Sequence, residues 1–159
     1  MGFLSSLLVI FLLIVVIVSG CISDSKVYSS IVIHNSGSTN TNGFDLTVNP
    51  DGSGQMIVRS KNSQTNLSTK QYPTGVLNYS SLKTAIEAVP DITASGQCMK
   101  SASFGTTETI SFDNKVSGDL TCPIDDAERY LAEIAWNVVI QANCFESNDI
   151  NCQNIMNIR

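Results

Sequence analysis

His34 is the only histidine of the chain. It follows a β-branched run and opens a loop, a place where it serves as a general base if a hydroxyl and an orienting carboxylate are brought to it. No G-x-S-x-G elbow supplies a nucleophile, so a surface histidine is the plainer expectation. Asp125, Asp126 and Glu128 resemble an acidic cluster, yet they fall in the first turn of a predicted helix, where capping and the helix dipole account for them. Asn49-Pro50-Asp51-Gly52 has the look of a calcium loop, but Ser60 stands where an EF-hand needs its acidic twelfth ligand. None of the spacings among Cys98, Cys122, Cys144 and Cys152 is the short C-x-x-C type of a zinc ribbon. No catalytic residue, metal or cofactor is therefore assigned.

Two stretches of small residues are less easily set aside. His34–Gly43 is uncharged apart from its histidine, and Ser101-Ala102-Ser103-Phe104-Gly105 follows Lys100. Small residues let a ligand approach the backbone closely, and loops on a rigid scaffold are common binding sites. His34, Lys100, Ser101 and Ser103 are the candidate binding residues of these loops. Tight turns are the simpler account of the same composition.

The elements that position these residues follow from periodicity. Val27–Ile33 reads as a strand. Phe44, Leu46 and Val48 alternate, Asn49–Gly54 turns, and Gln55–Arg59 returns with Met56 and Val58 inward, which makes a hairpin. Ser60–Gly75 is polar and reads as a loop. Leu82, Ala85, Ile86 and Val89 lie at helical spacing before Pro90. A second hairpin runs Thr109–Phe112, turns at Asp113–Lys115, and returns with Val116, Gly118 and Leu120 on one face. The longest helix is expected over Asp125–Asn143, with Asp125 and Glu128 as a capping box. The order βββαββα predicts an α+β domain: an antiparallel sheet of about five strands packed by two helices and braced by disulfides.

Along that last helix Ala127, Leu131, Ile134, Val138 and Ala142 form an apolar stripe, widened by Tyr130, Ala135 and Val139. Trp136 and Ile140 fall on the opposite side, beside Arg129 and Glu133. The C-terminal tail, with Phe145, Ile150, Ile155 and Met156, is expected to fold over Trp136. The alternative is that Trp136 and Ile140 form an anchor for a partner.

Composition restricts the compartment and the partners. Charged residues make up 14% of the chain, against about 25% in an ordinary soluble domain. Ser, Thr and Asn fill the gap, with 47 of 159 residues. The net charge is −5, and the basic residues do not cluster, which argues against nucleic acid as a partner. Leu7–Val18 is an unbroken apolar run, short for a membrane span and suited to an export signal. Residues 1–20 are expected as signal peptide or apolar anchor, 21–26 as a tether, and 27–159 as one extracytoplasmic domain. An uncleaved anchor helix is the alternative, since no Lys or Arg precedes the run. Met1-Gly2 with Ser6 also fits an N-myristoylation pattern, which normally precedes a soluble domain. With Cys21 set apart, four cysteines remain, and an even number in an exported chain reads as two disulfides. Three connectivities are open, and pairing of sequence neighbours, Cys98–Cys122 and Cys144–Cys152, is preferred. Asn66-Leu67-Ser68 and Asn78-Tyr79-Ser80 are glycosylation sequons.

Val18-Ser19-Gly20-Cys21 resembles the lipobox of bacterial and archaeal lipoproteins. That resemblance implies cleavage before Cys21 and a lipid on its sulfur, two acyl chains being enough for a stable anchor. Three blocks, GSTNTNGF (Gly37–Phe44), CMKSASFG (Cys98–Gly105) and GDLTCP (Gly118–Pro123), resemble a group of small exported lipoprotein domains over Ser30–Ala135. The likeness implies export and a Cys98–Cys122 bridge, and no activity. The expectation is a non-catalytic domain on the outer side of a cell membrane, binding a protein, glycan or small molecule. An extracytoplasmic enzyme with His34 as base is a second possibility, and an envelope-complex subunit docking through Trp136 and Ile140 a third.

Overall fold

Alternation of side chains decides which face of the sheet is dry. The computed structural model describes residues 29–61, 65–94 and 105–145. In β1 (Ile31–Asn35) Ile31 and Ile33 are fully buried, as are Leu46 and Val48 of β2 (Gly43–Val48). Met56 of β3 (Gly54–Arg59), Tyr72 of β4 (Asn66–Tyr72) and Ile110 of β5 (Glu108–Phe112) share that face. With β6 (Lys115–Val116) the strands form one antiparallel sheet, in the order β4-β3-β2-β1-β5-β6.

Both helices lie over the dry face. In α1 (Tyr79–Ala88) the buried residues are Tyr79, Leu82, Ala85 and Ile86, with Val89 just beyond the helix. In α2 (Asp126–Cys144) they include Leu131, Ala135, Val138, Val139 and Ala142. All join the sheet's inward residues in one core, each large side chain contributing about 1.5–3 kcal/mol on burial. The opposite sheet face, with Val32, His34, Asp45, Thr47 and Ile57, is half-buried and carries no helix among the described residues. The described residues are thus α+β, with six strands and two helices.

β4 corrects the expected loop at Ser60–Gly75 and makes the order ββββαββα. Its first four residues are exposed, so no alternation marks it; the ladder with β3 holds it in place. The second hairpin also differs. Asp113 and Asn114 alone make the turn, with φ of 49° and 61°, as a two-residue hairpin turn of positive φ requires. β6 then ends after Val116, which is 53% exposed instead of inward. Ser117 breaks the ladder: its Oγ accepts from Ile110 N–H (2.8 Å) and donates to Gly118 O (2.8 Å). Leu120 is buried as expected. β1 runs on to Asn35, two residues beyond the expected Ile33, because His34 and Asn35 keep partners in β2 and β5. It begins at Ile31, so Ser29 and Ser30 of the expected strand lie before it, and residues 27 and 28 lie outside the described residues.

The helix ends follow their capping chemistry. The Asn78 side chain accepts from Ser81 N–H (3.1 Å) at the start of α1, so the second sequon's asparagine serves as a cap. Asp125 accepts from Glu128 N–H (2.8 Å), and Glu128 accepts from Ile124 N–H (2.8 Å), one residue ahead of the usual capping-box partner. Tyr130, expected in the apolar stripe, is 48% exposed. At Gly54 an added Cβ would lie 2.1 Å from Thr47 O, so only glycine lets β2 and β3 meet there.

Candidate functional site

The sheet register gathers His34, Asp45 and Arg59 at one end of its open face. His34 and Asp45 stand directly opposite each other in β1 and β2, and Arg59 closes β3. His34 Nδ1 lies 2.6 Å from Asp45 Oδ1, and Arg59 Nη2 donates to the same oxygen at 3.0 Å. Arg59 Nη2 also lies 3.4 Å from the carbonyls of Asn35 and Phe44. It stands 2.9 Å from His34 Nδ1 as well. A single ring nitrogen cannot donate to a carboxylate and accept from a guanidinium at once. With a proton on Nδ1, the ring and Arg59 both donate to one carboxylate oxygen.

This arrangement supplies the carboxylate an imidazole base needs, and then compromises it. Asp45 orients the ring, but the same oxygen is shared with the Arg59 guanidinium. Three clefts among the described residues lie elsewhere. The largest, about 460 Å³, is lined by Asp51, Gly75, Asn78, Tyr79, Ser80 and Gln141. A second of about 360 Å³ adjoins it along Ile134, Asn137 and Ile140. A third of about 350 Å³ lies between Ile86 and Lys115.

Beyond His34 the loop is held by its own polar groups. Asn35 Oδ1 accepts from Gly37 N–H (3.0 Å), and Ser38 Oγ accepts from Asn40 and Thr41 N–H (both 3.2 Å). Gly37 has φ +66°, and an added Cβ would meet Gly43 N at 2.5 Å. The Ser and Asn content of this stretch therefore builds tight turns. The loop is docked on β5 by Ser36 N–H to Thr107 O (3.0 Å) and Thr107 N–H to Ser36 Oγ (2.9 Å).

Glu108, at the same end but on the inner face, was not flagged by motif. It is 7% exposed. Burial pushes its carboxyl above the usual range; a bond from Asn35 Nδ2 (3.5 Å) opposes this, and the Asp119 charge reinforces it. Its position two residues before Ile110, on the inward parity of β5, is the signal that sequence alone offers. Asp45 and Arg59 carried none, being ordinary polar residues at outward positions.

The other expected residues are scattered. Trp136 is 53% exposed and Ile140 half-buried. Of the expected cover, Phe145 turns its ring to Tyr72, with centroids 5.7 Å apart. Ile150, Ile155 and Met156 lie outside the described residues, as do Lys100, Ser101, Ser103, Cys21, Cys98 and Cys152. Cys122 and Cys144 are disulfide-bonded cysteines, and each expected pair has its other member outside the described residues. Asp51 is committed to its turn, accepting from Ser53 N–H (2.9 Å) and Thr74 Oγ (3.0 Å); hydrogen bonds from Ser53 lead in holding its carboxyl below the usual range. Among the described residues no group of three or more His, Cys, Asp or Glu could hold a metal ion. No described helix is long and apolar enough to cross a membrane.

Comparison with protein-family models, with curated proteins and with solved structures returns no match.

Proposed function

We propose that this chain is a membrane-anchored extracytoplasmic domain, lipid-modified at Cys21 and braced by disulfides, that works as a non-catalytic binding module. What carries the proposal is the point at which the chain enters the fold. Tyr79 Oη donates to Ser29 O (2.8 Å) and Ser30 Oγ to Asn49 Oδ1 (2.8 Å). The N-terminal segment thus joins the sheet at the pole where β2 ends and α1 begins. His34, the Ser36–Asn42 loop and Glu108 occupy the opposite ends of the same strands. Extended chain from Cys21 to Ser29 reaches about 29 Å at most. A lipid on Cys21 would hold the first pole near the bilayer and present the loop pole to a protein, glycan or small molecule.

Two further observations support this reading. Disulfide-bonded Cys122 and Cys144 fit an oxidising compartment. The pairing of Arg59 with Asp45 counts against His34 as a base. The test is metabolic labelling with a clickable fatty acid, with surface biotinylation by an impermeant reagent. Label on the wild type and its loss in Cys21→Ser are expected, with the domain biotinylated on intact cells. Equal labelling of both chains removes the lipid anchor.

The exposure of Trp136 favours a second reading, a subunit of an envelope complex docked through Trp136 and Ile140. Strong acrylamide quenching of Trp136 in the isolated chain and protection in membrane extracts would select it.

A further inference from the structure

Among the described residues β4 is one edge of the sheet and pairs only with β3. Two bonds set the direction of its backbone groups: Asn49 N–H to Ser53 O (2.8 Å) and Ser60 N–H to Thr65 O (2.9 Å). Antiparallel strands turn their amides and carbonyls alternately to either neighbour. From these bonds, Gln55 and Ile57 turn toward β2, and Gly54, Met56 and Val58 toward β4. Their register partners Tyr72, Lys70 and Ser68 turn back to β3. Thr69 and Gln71 therefore aim their amides and carbonyls away from the sheet, and Leu67 is the extra residue at the irregularity beside Val58 and Arg59. These three side chains are exposed, and among the described residues no hydrogen bond meets the outward groups of Thr69 and Gln71.

Natural sheets guard such an edge with proline, a bulge or a lysine. Residues 66–72 contain no proline, and the irregularity is confined to the start of the strand. The one charge, Lys70, is drawn inward. Its Nζ donates to Phe145 O (2.7 Å) and stands 5.7 Å from the ring centroids of both Tyr72 and Phe145.

We propose that β4 is a self-pairing edge, which joins a second copy of this chain antiparallel about a two-fold axis at Thr69. Self-complementarity singles out that occupant. With the axis at Thr69, Thr69 faces its own copy, Leu67 faces Gln71, Ser68 faces Lys70 and Asn66 faces Tyr72. No charge meets its like, and Thr–Thr is a favourable cross-strand pair. Shifting the axis one residue, to Lys70, sets two ammonium groups opposite each other. The Thr69 register also lets Thr69 exchange both backbone bonds with its copy. The product is one continuous sheet with α1 and α2 of both copies on the same side, an isologous contact that closes on itself.

This proposal is independent of the anchoring reading, and the full chain in detergent micelles tests it. Sedimentation equilibrium should show a reversible dimer of the wild type. Thr69→Lys and Thr69→Glu, each placing like charges at the axis, should each weaken association about tenfold or more. An equimolar mixture of the two variants should dimerise at least as tightly as the wild type. In the wild type, amide exchange at Thr69 and Gln71 should slow as concentration rises, a readout that needs no variant to fold. A monomeric wild type, unaltered association of the variants, failure of the mixture to recover, or concentration-independent exchange at both amides overturns the proposal.

Discussion

At position 108 a carboxyl is 7% exposed, bonded by the Asn35 amide and faced by Asp119, and burial raises its pKa. The folded protein holds this proton more tightly than the unfolded chain does. The stabilisation is therefore full below the ordinary carboxylate range and is lost as pH rises through the raised value; above it the buried charge is a burden. Glu108→Gln keeps the shape and an acceptor for Asn35 while removing the charge. It should raise the urea midpoint at neutral pH, with the gain vanishing below about pH 4, where the unfolded carboxyl also protonates. A loss of stability at neutral pH would mean that the carboxylate is held in its charged form. His34 shows what was legible at this scale. Its solitary status is visible in the sequence, but the contact with Asp45 depends on the β1–β2 register and that with Arg59 on β3. Neither residue stands out until strands are paired.

At the scale of elements, legibility followed apolar contrast. β2, β3, α1 and α2 alternate or repeat against a single dry face, and their expected bounds fall close to the observed ones. β4 was invisible because an edge strand with polar residues on both faces looks like a loop. The return strand of the second hairpin was overextended because Val116 and Leu120 have inward parity, while a serine between them takes over the hydrogen bonding. Ser117→Ala tests that account. Removing Oγ leaves the buried Ile110 N–H without its acceptor, and an unsatisfied buried donor costs about 1–3 kcal/mol. Urea unfolding should show that loss, with faster exchange of the Ile110 amide. Wild-type stability in Ser117→Ala would show that another group fills the place. The cap of α2 gives a smaller effect: Asp125→Ala should cost about 1 kcal/mol, and Asp125→Asn much less.

Across the whole molecule, α2 and the central strands are secured differently. β1 and β2 lie mid-sheet with a neighbour on either side. α2 has no ladder; its hold is its buried stripe and its contact with α1. The hairpins were readable from their turns, but the path from β4 through α1 to β5 was not, since polarity alone cannot say that the chain crosses to pair with β1. This division predicts how the protein comes apart. In the proposed bracing, Cys122 ahead of α2 and Cys144 at its last residue each belong to a bridge contributing about 3 kcal/mol in the chain-entropy account, so reduction without denaturant should fall hardest on α2. Amides of α2 should lose protection while those of Ile33 and Leu46 keep theirs, because local openings draw on the least-connected element first. Alkylating reagent should add to Cys122 and Cys144 only after reductant is supplied. Uniform loss of protection across sheet and helix would instead mean that the bridges secure the fold as one cooperative unit.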